Sequence, residues 1–485
     1  MNALRTKSLQ ELLAFVSHRA VYGDRSVHIS HITDDSREVQ PGSLFVAVPG
    51  TRSDGHHYIG TAIAKGAVAV VGQRADLRLP ARTPYVLVPD SRRALAELAC
   101  AFYDFPTRNL YTVGVTGTNG KTSVSVLAAA VLGEAALSTT VHNALQYDLP
   151  YTTPGAVEVQ RRAWEAMQSG QKHFMLEVSA HALSQERVHG IDFDIAIFTN
   201  LTHDHLDYYR TTEEYLRAKL KLFESLRPEA RAIINGDDPY APSFIAATRA
   251  RVWTYGLSSR HDLWADQIAL SPMGSRFLAH TPRGVVAIET SLPGEFYVYN
   301  ILAAIGVGVE RGLALDTIKS RIESVHQIEG RCERYRTRDG VFIWIDFAHS
   351  PDSLEKMLRM LKDFYPRVIS VFGCGGESDP YKRPLMGEIS GRLANYTIIT
   401  SDNPKSEDPR EIVRQIESGI RALGAPYEVI VDRPRAIMRA LELARPGDCV
   451  LIAGKGHERT QIFSDREIEF NDREFLRNLG VIVTS

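Results

Sequence analysis

The segment that decides the fold is Tyr111–Ser123, which reads YTVGVTGTNGKTS. Its first half is an apolar run typical of a buried strand, its glycines predict a tight turn, and a helix is predicted over about 122–133. A strand that turns through glycines into a helix is the setting of a phosphate-binding loop, because backbone N–H groups and the helix N-terminus attract phosphate oxygens. In such a loop Lys121 would reach the terminal phosphates, and the Thr122 hydroxyl would bind Mg²⁺.

This loop departs by one position from the longer pattern G-x-x-x-x-G-K-[ST], since Val115 stands where the first glycine belongs. The plain alternative is a strand, a turn and a helix that carries a surface lysine. The order of strand, glycine turn and helix favours phosphate binding instead. The predicted cofactor-binding residues of the loop are Gly117, Thr118, Asn119, Gly120, Lys121, Thr122 and Ser123.

Alternating strands and helices continue on both sides of the loop. Strands are predicted at 174–178 and 195–199, an amphipathic helix at 213–225, and strand-like alternation over 250–292. Such alternation predicts an α/β fold in which a mostly parallel sheet is flanked by helices.

The chain has 485 residues, which at roughly 150 residues per domain suggests about three domains. We expect a smaller N-terminal α/β domain at 1–105 and a central domain of P-loop type at 106–326. A C-terminal doubly wound, Rossmann-like domain is expected at 327–485, because five further apolar strands alternate there with helical segments.

Composition narrows the class of protein. Hydrophobic residues make up 44% and charged residues 24%, which is ordinary for a globular protein and excludes a disordered, collagen-like or coiled-coil chain. The 56 basic and 58 acidic side chains give a net charge of -2, so no overall field attracts nucleic acid or an anionic membrane. Four scattered cysteines, the lack of a long apolar run and the charged N-terminus predict a cytoplasmic enzyme that does not insert into membranes.

Polar side chains follow the predicted central strands. Glu177 ends one strand, and His203, Asp204, His205 and Asp207 follow the next. At the carboxyl edge of a parallel sheet such groups could hold a metal, although histidine suits Zn or Mn better than Mg²⁺. Taken alone, Glu177 reads as a strand-end charge and the four-residue cluster as a solvated loop.

Further polar clusters follow the predicted C-terminal strands, which marks the carboxyl edge of that sheet as a binding face. The clusters are Asp346 and His349 in IDFAHSPDS, Gly373–Gly376 in FGCGG, Asp402, Asn403 and Lys405 in SDNPKSEDP, and Gly454–Glu458 in AGKGHE.

With these motifs in place, the chain resembles the Mur ligases, ATP-dependent amide-forming enzymes of peptidoglycan synthesis and hence of cell wall biogenesis, cell shape and cell division. Within the family it most resembles the ligases that add a diamino acid to UDP-N-acetylmuramoyl-L-alanyl-D-glutamate. The resemblance covers nearly the whole chain. Its motifs, in order, are DDSREVQPGSLFVAVPGTRSDGHHYI, GVTGTNGKTS, YTTP, EVSAHALSQERV, FTNLTHDHLDYY, EYLRAKLKLF, DFAHSPDSLEK, FGCGG, KRPLMG, SDNPKSEDP and AGKGHE.

The resemblance implies ATP and Mg²⁺ as cofactors. Thr122 and Glu177 would bind the metal, and His205 matches the metal-site histidine of the family. Lys219, which by itself reads as one of several solvated lysines, matches a lysine that is carbamylated in related ligases and would then hold a metal as an anion. The positions that match contacts to adenosine, ribose or phosphate are Asn300, Arg331 and Asp346.

The resemblance also implies residues that bind the two other substrates. The nucleotide sugar and its peptide would contact Ser36, Thr51, Arg52, Ser53, Thr152, Thr153, Ser179, Gln185 and Arg187. The incoming amino acid would contact Asp402, Asn403, Lys405, Gly454 and Glu458.

Two positions depart from the pattern of ligases that add meso-diaminopimelate. Lys405 stands where those ligases resemble D-N-P-R, and Ser378 replaces an arginine of a G-D-R-D segment. A bidentate arginine suits the distal carboxylate of meso-diaminopimelate. The absence of both arginines therefore slightly favours L-lysine or L-ornithine as the amino acid that is added. A lysine at 405 would repel a distal ammonium, however, unless it points to the proximal carboxylate.

The implied reaction phosphorylates the D-glutamyl carboxylate with ATP and then lets the amine of the diamino acid displace phosphate. The catalytic residues expected are Lys121, Lys219, His205 and His349, with His349 one candidate for the base that takes the proton of the amine. We expect a monomer. The alternatives are another ligase of the same type, such as folylpolyglutamate synthetase, and, from a different class, a P-loop NTPase switch.

Overall fold

A computed structural model of the protein describes residues 5–50, 53–77, 79–80, 82–147, 151–202, 204 and 206–482. The elements of the N-terminal part are β1 Lys7–Ser8, α1 Leu9–Leu13, β2 Ala20–Tyr22, β3 His28–Ile29, β4 His31–Thr33, β5 Ser43–Val46, α2 Ile59–Ala64, β6 Ala67–Gly72, β7 Tyr85–Leu87 and α3 Ser91–Phe102. A sheet in the order β2-β7-β6-β5-β4 is parallel from β4 to β7, with β2 antiparallel at its edge.

The central part contains the phosphate loop. Its elements are β8 Tyr111–Thr116, α4 Lys121–Leu132, β9 Ala135–Ser138, α5 Thr140–Tyr147, α6 Ala156–Gln168, β10 His173–Glu177, α7 Ala180–Ser184, β11 Ile195–Phe198, α8 Leu206–Tyr209, α9 Thr212–Glu224, β12 Arg231–Asn235, α10 Ala241–Ala247, β13 Arg251–Gly256, β14 Leu263–Ser271, β15 Gly274–Thr281, β16 Gly284–Thr290, α11 Glu295–Glu310 and α12 Leu315–Glu323.

The central sheet has the order β9-β10-β8-β11-β12-β13-β14-β15-β16. Its strands are parallel from β9 to β14, and β14–β16 add an antiparallel extension. Because β8 lies between β10 and β11, side chains that follow these three strands meet at one edge. The apolar helix α11 packs against α4 and one face of the sheet, while α9 and α10 cover the other face.

The C-terminal part has the doubly wound arrangement. Its elements are β17 Glu333–Arg336, β18 Phe342–Asp346, α13 Pro351–Phe364, β19 Val368–Phe372, α14 Lys382–Leu393, β20 Tyr396–Ile399, α15 Pro409–Arg421, β21 Tyr427–Val429, α16 Arg433–Leu443, β22 Cys449–Ala453, β23 Thr460–Ile462, β24 Glu467–Glu469 and α17 Asp472–Asn478. The sheet order β17-β18-β22-β19-β20-β21 is parallel except for β17, and helices cover both faces.

These features confirm the predicted α/β class with mostly parallel sheets and flanking helices. Each of the large sheets falls within one of the predicted domain ranges, and the domain limits themselves stay a prediction. Among the described residues, no helix is both long enough and apolar enough to cross a membrane.

One fully buried ion pair stabilises the C-terminal part. Arg433, at the start of α16, donates from Nε and Nη2 to the two carboxylate oxygens of Asp472 at 2.8 Å each, and both side chains are completely buried. Its guanidinium also donates to the carbonyl oxygens of Ser401 and Ala453, at 3.4 and 3.0 Å. A single cation therefore joins α16 and α17 to the ends of β20 and β22.

We expect Asp472→Asn to lower the free energy of unfolding by about 3–5 kcal/mol, because it leaves the buried Arg433 cation without its counter-charge. Urea unfolding followed by circular dichroism measures the change. Asp465→Asn, which breaks the exposed pair with Arg466, is the control and should cost less than about 1 kcal/mol. Equal losses in the two variants would contradict this role of the buried pair.

Candidate functional site

The phosphate loop between β8 and α4 is braced against the end of β11. Gly117 has a φ of 152°, and a Cβ at this position would lie 1.8 Å from the hydroxyl oxygen of Thr199. The N–H of Thr118 donates to the carbonyl of Asn200 at 2.8 Å, and the N–H of Asn119 donates to the side-chain oxygen of Asn200 at 2.9 Å. Only glycine fits where the loop passes this close to the neighbouring strand end.

The two residues that open α4 point in different directions. Lys121 lies over the loop, where its Nζ donates to the carbonyl oxygens of Gly117 and Thr118 at 3.1 and 2.8 Å. Burial lowers the pKa of the Lys121 ammonium from its ordinary value. The Thr122 hydroxyl donates at 2.8 Å to Glu177, which is fully buried and which pairs across the sheet with the strand before the loop.

Lys219 also reaches the loop, although its sequence context alone suggests a solvated side chain. Its Nζ donates to the Gly117 carbonyl at 2.8 Å and lies 4.4 Å from the centre of the Tyr215 ring. The side chain is buried, and burial together with the nearby Lys121 cation holds its pKa well below the ordinary value. His205, the other predicted metal residue, lies outside the described residues, as does His203.

Arg331 reaches the phosphate loop from the C-terminal part. Its Nη2 donates to the Thr122 hydroxyl at 3.0 Å, and its guanidinium lies 4.6 Å from the centre of the Phe347 ring. Asp346 does not point at the loop itself: its carboxylate accepts from the N–H of Cys332 at 2.8 Å. Asp346 therefore holds the turn that carries Arg331.

Two further side chains approach the loop from α11 and α13. The buried Asn300 of α11 faces Gly120. A Cβ added at Gly120 would lie 2.8 Å from the side-chain oxygen of Asn300. Asp352, at the start of α13, accepts a hydrogen bond of 2.8 Å from the side-chain amide of Asn119. The predicted nucleotide residues Asn300 and Arg331 thus meet the loop, and Asp352 is a contact that the sequence did not suggest.

A cleft of about 1050 Å³ opens between the N-terminal and central parts. Ser36, Ser53, Gln185 and Arg187 line it, as predicted for the nucleotide sugar, whereas Thr51 and Arg52 lie outside the described residues. The lining residues that the sequence analysis missed include Asp34, Arg92 and Tyr151. Asp34 stands in the quoted DDSR motif directly after β4. Its position at the end of a strand could have indicated a binding role.

Hydrogen bonds connect this cleft to the phosphate loop. Arg187 donates to the Thr153 carbonyl at 2.8 Å, and the Thr153 hydroxyl donates to the Glu177 carbonyl at 2.8 Å. The Ser179 N–H donates to the same hydroxyl at 2.9 Å, and the Thr152 hydroxyl accepts from Thr140, which also contacts Glu177. The predicted central contacts are therefore brought together on one side of Glu177.

The loops after β20 and β22 meet at the carboxyl edge of the C-terminal sheet. Gly454 has a φ of 111°, and a Cβ there would lie 2.4 Å from a carboxylate oxygen of Asp402. The Asn403 amide nitrogen donates to Glu458 at 2.7 Å. Four of the five residues predicted to contact the amino acid therefore form one cluster.

Lys405 and Ser378 lie beside this cluster. The N–H of Lys405 donates to the carbonyl of Ile462 at 2.9 Å, and the residue has a left-handed φ of 53°. Ser378 belongs to the loop after β19, in which the N–H of Gly376 donates to the Asn403 carbonyl at 2.8 Å. The two positions that depart from the family pattern are therefore on adjoining loops.

His349 lies between the central and C-terminal parts. Its Nδ1 donates to the Phe347 carbonyl at 2.7 Å, which leaves the lone pair on Nε2. Burial and the nearby Lys382 lower its pKa to about 4, so the ring is neutral near pH 7. Lys382, which the sequence analysis did not select, lies 3.9 Å from Asp204 in the loop after β11, and both are buried.

Comparison with known proteins agrees with this arrangement. Family descriptions match 28–103 as "Mur ligase family, catalytic domain", 115–308 as "Mur ligase middle domain" and 330–456 as "Mur ligase, glutamate ligase domain". The chain belongs to the Mur ligase family. A relative from Geobacillus thermodenitrificans (strain NG80-2), named UDP-N-acetylmuramoyl-L-alanyl-D-glutamate--2,6-diaminopimelate ligase, is 43% identical over 484 residues, which cover 97% of this chain and 98% of the relative.

Solved structures extend the comparison of this Mur ligase. A structure of a UDP-N-acetylmuramoyl-L-alanyl-D-glutamate--2,6-diaminopimelate ligase is 31% identical, covers 98% of each chain and superposes with a TM-score of 0.67. A folylpolyglutamate synthase from Mycobacterium tuberculosis in complex with ADP is 17% identical and has a TM-score of 0.61, over 73% of this chain and 90% of that one. The second likeness shows a shared fold alone.

We expect Gly117→Ala to weaken nucleotide binding by about 10- to 100-fold, because the added methyl group overlaps Thr199 and forces the loop away from β11. Titration with a fluorescent ATP analogue measures the affinity. Gly60→Ala, at a position in α2 where a methyl group meets no atom within 4 Å, is the control and should bind normally. Unchanged affinity in Gly117→Ala would show that the close approach is not needed.

Proposed function

We propose that this Mur ligase joins 2,6-diaminopimelate to the D-glutamate of UDP-N-acetylmuramoyl-L-alanyl-D-glutamate at the expense of ATP. The observation that carries the proposal is a continuous path of hydrogen bonds. It runs from Arg187 in the cleft through Thr153 to Glu177, then through Thr122 to Arg331. A carboxylate at the end of a substrate in the cleft would thus be held beside the terminal phosphate of a nucleotide on the loop.

The reaction must first give the substrate carboxylate a good leaving group. A free carboxylate is a poor acyl donor, because oxide would have to leave. Attack of the D-glutamyl carboxylate on the γ-phosphate releases ADP and gives an acyl phosphate; the amine of the amino acid then attacks the carbonyl carbon and phosphate leaves. Lys121, the N-terminus of α4 and Arg331 are placed to neutralise the charge that moves between these groups.

The residues around Thr122 fit Mg²⁺. The Thr122 hydroxyl and the Glu177 carboxylate supply hard oxygen ligands 2.8 Å apart, of the kind that Mg²⁺ prefers. Within the described ranges, no group of three His, Cys, Asp or Glu side chains could hold a metal ion. Mg²⁺ commonly completes its shell with water and substrate phosphate oxygens. When bound, Mg²⁺ would screen the phosphate charges, and His205 is retained as a proposed ligand.

Carbamylation of Lys219 would supply an anionic ligand for a second metal. Carbon dioxide reacts with a neutral amine, and the lowered pKa of Lys219 makes its amine neutral at a pH where an exposed lysine is protonated. Addition of carbon dioxide to the neutral amine, with loss of one proton, gives a carbamate and so places an anion beside Lys121. The local electrostatics therefore favour the modification.

The amino acid that we propose as the acceptor differs from the one that the sequence slightly favours. Lys405 and Ser378 favoured L-lysine or L-ornithine, but the relatives at 39–43% identity carry the name of diaminopimelate ligases. A lysine at 405, beside Asn403, suits the distal end of diaminopimelate, where a carboxylate balances the ammonium, better than the distal end of lysine or ornithine, which carries an ammonium alone. The charge of Lys405 and the names of the relatives together support diaminopimelate as the acceptor.

The remaining expectations complete the proposal. His349, neutral and with Nε2 unprotonated, is proposed as a proton acceptor for the incoming amine. Domain limits at 105/106 and 326/327, a cytoplasmic location and a monomeric state are proposed on the grounds of the sequence analysis.

Two other functions make different predictions. A folylpolyglutamate synthetase would use glutamate as acceptor, and the cleft built by the N-terminal part argues against it. A P-loop switch would hydrolyse nucleotide without an acceptor, whereas a ligase needs acyl donor and amine together.

The proposed function predicts that ADP forms over many turnovers only when ATP, the UDP-muramoyl-dipeptide and a diamino acid are all present. Parallel assays with meso-diaminopimelate, L-lysine and L-ornithine should give product mainly with the first. Lys121→Ala should reduce turnover at least about 1000-fold with the fold retained, because the phosphates lose their cation. Sustained ADP release from ATP alone, without the acyl donor and the amine, would favour the switch. Product with lysine alone would refute diaminopimelate as the acceptor.

Carbamylation predicts a carbamate carbon signal in the NMR spectrum of the protein in ¹³C-bicarbonate, absent in Lys219→Ala. That variant should be inactive, because the metal loses a ligand, and short carboxylic acids should restore part of its activity. Lys221→Ala, which alters a more exposed lysine two residues away, is the control and should keep signal and activity. Full activity of Lys219→Ala without added acid would remove Lys219 from the site.

A further inference from the structure

Lys455, in the loop after β22, is a buried cation that the reaction described above does not use. Its side chain has no exposed surface. Its ammonium donates to the side-chain oxygen of Asn403 at 3.0 Å, to Oε2 of Glu458 at 2.9 Å and to the carbonyl of Thr460 at 2.7 Å. An ammonium has three donors, so all of them are used within the protein.

These bonds set the orientation of the neighbouring side chains. The Asn403 oxygen accepts from Lys455 and from the N–H of Ile462 at 3.1 Å, so its amide nitrogen must face Glu458. Oε2 of Glu458 accepts from both Asn403 and Lys455, while 31% of the Glu458 side chain stays exposed. The carboxylate is therefore fixed through one oxygen and open to the site.

We infer that Lys455 is a positioning residue for the amino-acid acceptor, which it orients through Asn403 and Glu458 without touching it. The inference rests on the proposed function, since it takes the loops after β20 and β22 as the acceptor site. Asp402 also lies near Glu458, and the other nearby cation, Arg433, is paired with Asp472, so one negative charge remains that suits the ammonium group of an amino acid.

The charge state of Glu458 gives a second readout. Burial raises the pKa of the Glu458 carboxyl, Asp402 adds to the rise, and Lys455 and Asn403 oppose it. Arg433 is the other cation that faces this carboxylate. Because an ionised Glu458 binds the acceptor, binding is lost as the pH falls through its pKa. Removal of Lys455 should move that loss to higher pH.

The test is Lys455→Met, assayed for the KM of each substrate and for the pH dependence of kcat/KM with diaminopimelate. We expect the KM of diaminopimelate to rise about 10- to 100-fold, as for loss of a buried charged hydrogen bond, and the acidic limb to move to higher pH. The KM values of ATP and the UDP-muramoyl-dipeptide should stay within about twofold of the wild type. Lys455→Gln, which keeps an N–H donor, should recover part of the loss.

The matched control is Arg367→Met. Arg367 donates to Asp448 at 2.8 Å and to the Leu443 carbonyl at 2.9 Å, at the amino end of the same strands and away from the acceptor loops. The Arg367→Met variant should lower the midpoint temperature of thermal unfolding and leave all KM values unchanged.

Three results would overturn the inference. They are an unchanged KM for diaminopimelate in Lys455→Met, an equal rise in KM for all substrates, and a loss of stability like that of the control with no shift of the acidic limb. If Lys455→Met does not fold, the same measurements on Lys455→Gln decide the question. Failure of the proposed function is distinct, because the wild type would then show no diaminopimelate-dependent ADP formation.

Discussion

The close contact between the phosphate loop and the end of β11 is the constraint on which the rest of the site depends. Gly117 passes so near Thr199 that no side chain fits, and Asn200 binds the backbone of the next two residues. The loop is therefore held by a neighbouring strand and not only by the helix that it opens. With the loop in that position, Lys219 can reach its backbone and Thr122 can reach Glu177.

Parallel pairing explains why these groups meet. The carboxyl ends of β8, β10 and β11 lie side by side, so Glu177 and the residues after β11 share an edge with the phosphate loop. The same rule places the loops after β20 and β22, where we propose that the acceptor binds, at one edge of the second sheet. Arg331 and Asp352 then bring the two edges together across the boundary between the central and C-terminal parts.

Local charge matters more here than the charge of the whole molecule. The net charge of -2 supplies no general attraction for polyanionic substrates. Lys121 at the phosphate loop and Arg187 in the cleft provide cations where phosphate and carboxylate groups would bind. At the carboxyl edge of the C-terminal sheet, the Glu458 carboxylate lies near Asp402 and is paired with the buried ammonium of Lys455.

The sequence by itself determined the α/β class and the strand, glycine turn and helix of the phosphate loop, and it predicted most of the residues proposed for the site. Each of these is a local pattern: an apolar strand, a glycine turn, an amphipathic helix, or a polar residue at a strand end. Only the tertiary structure decided that Lys219 and Lys455 are buried, because the partners that their ammonium groups contact, Gly117 and Asn403, lie on segments distant in sequence. Desolvation and hydrogen-bond partners come from packing, which no local pattern records.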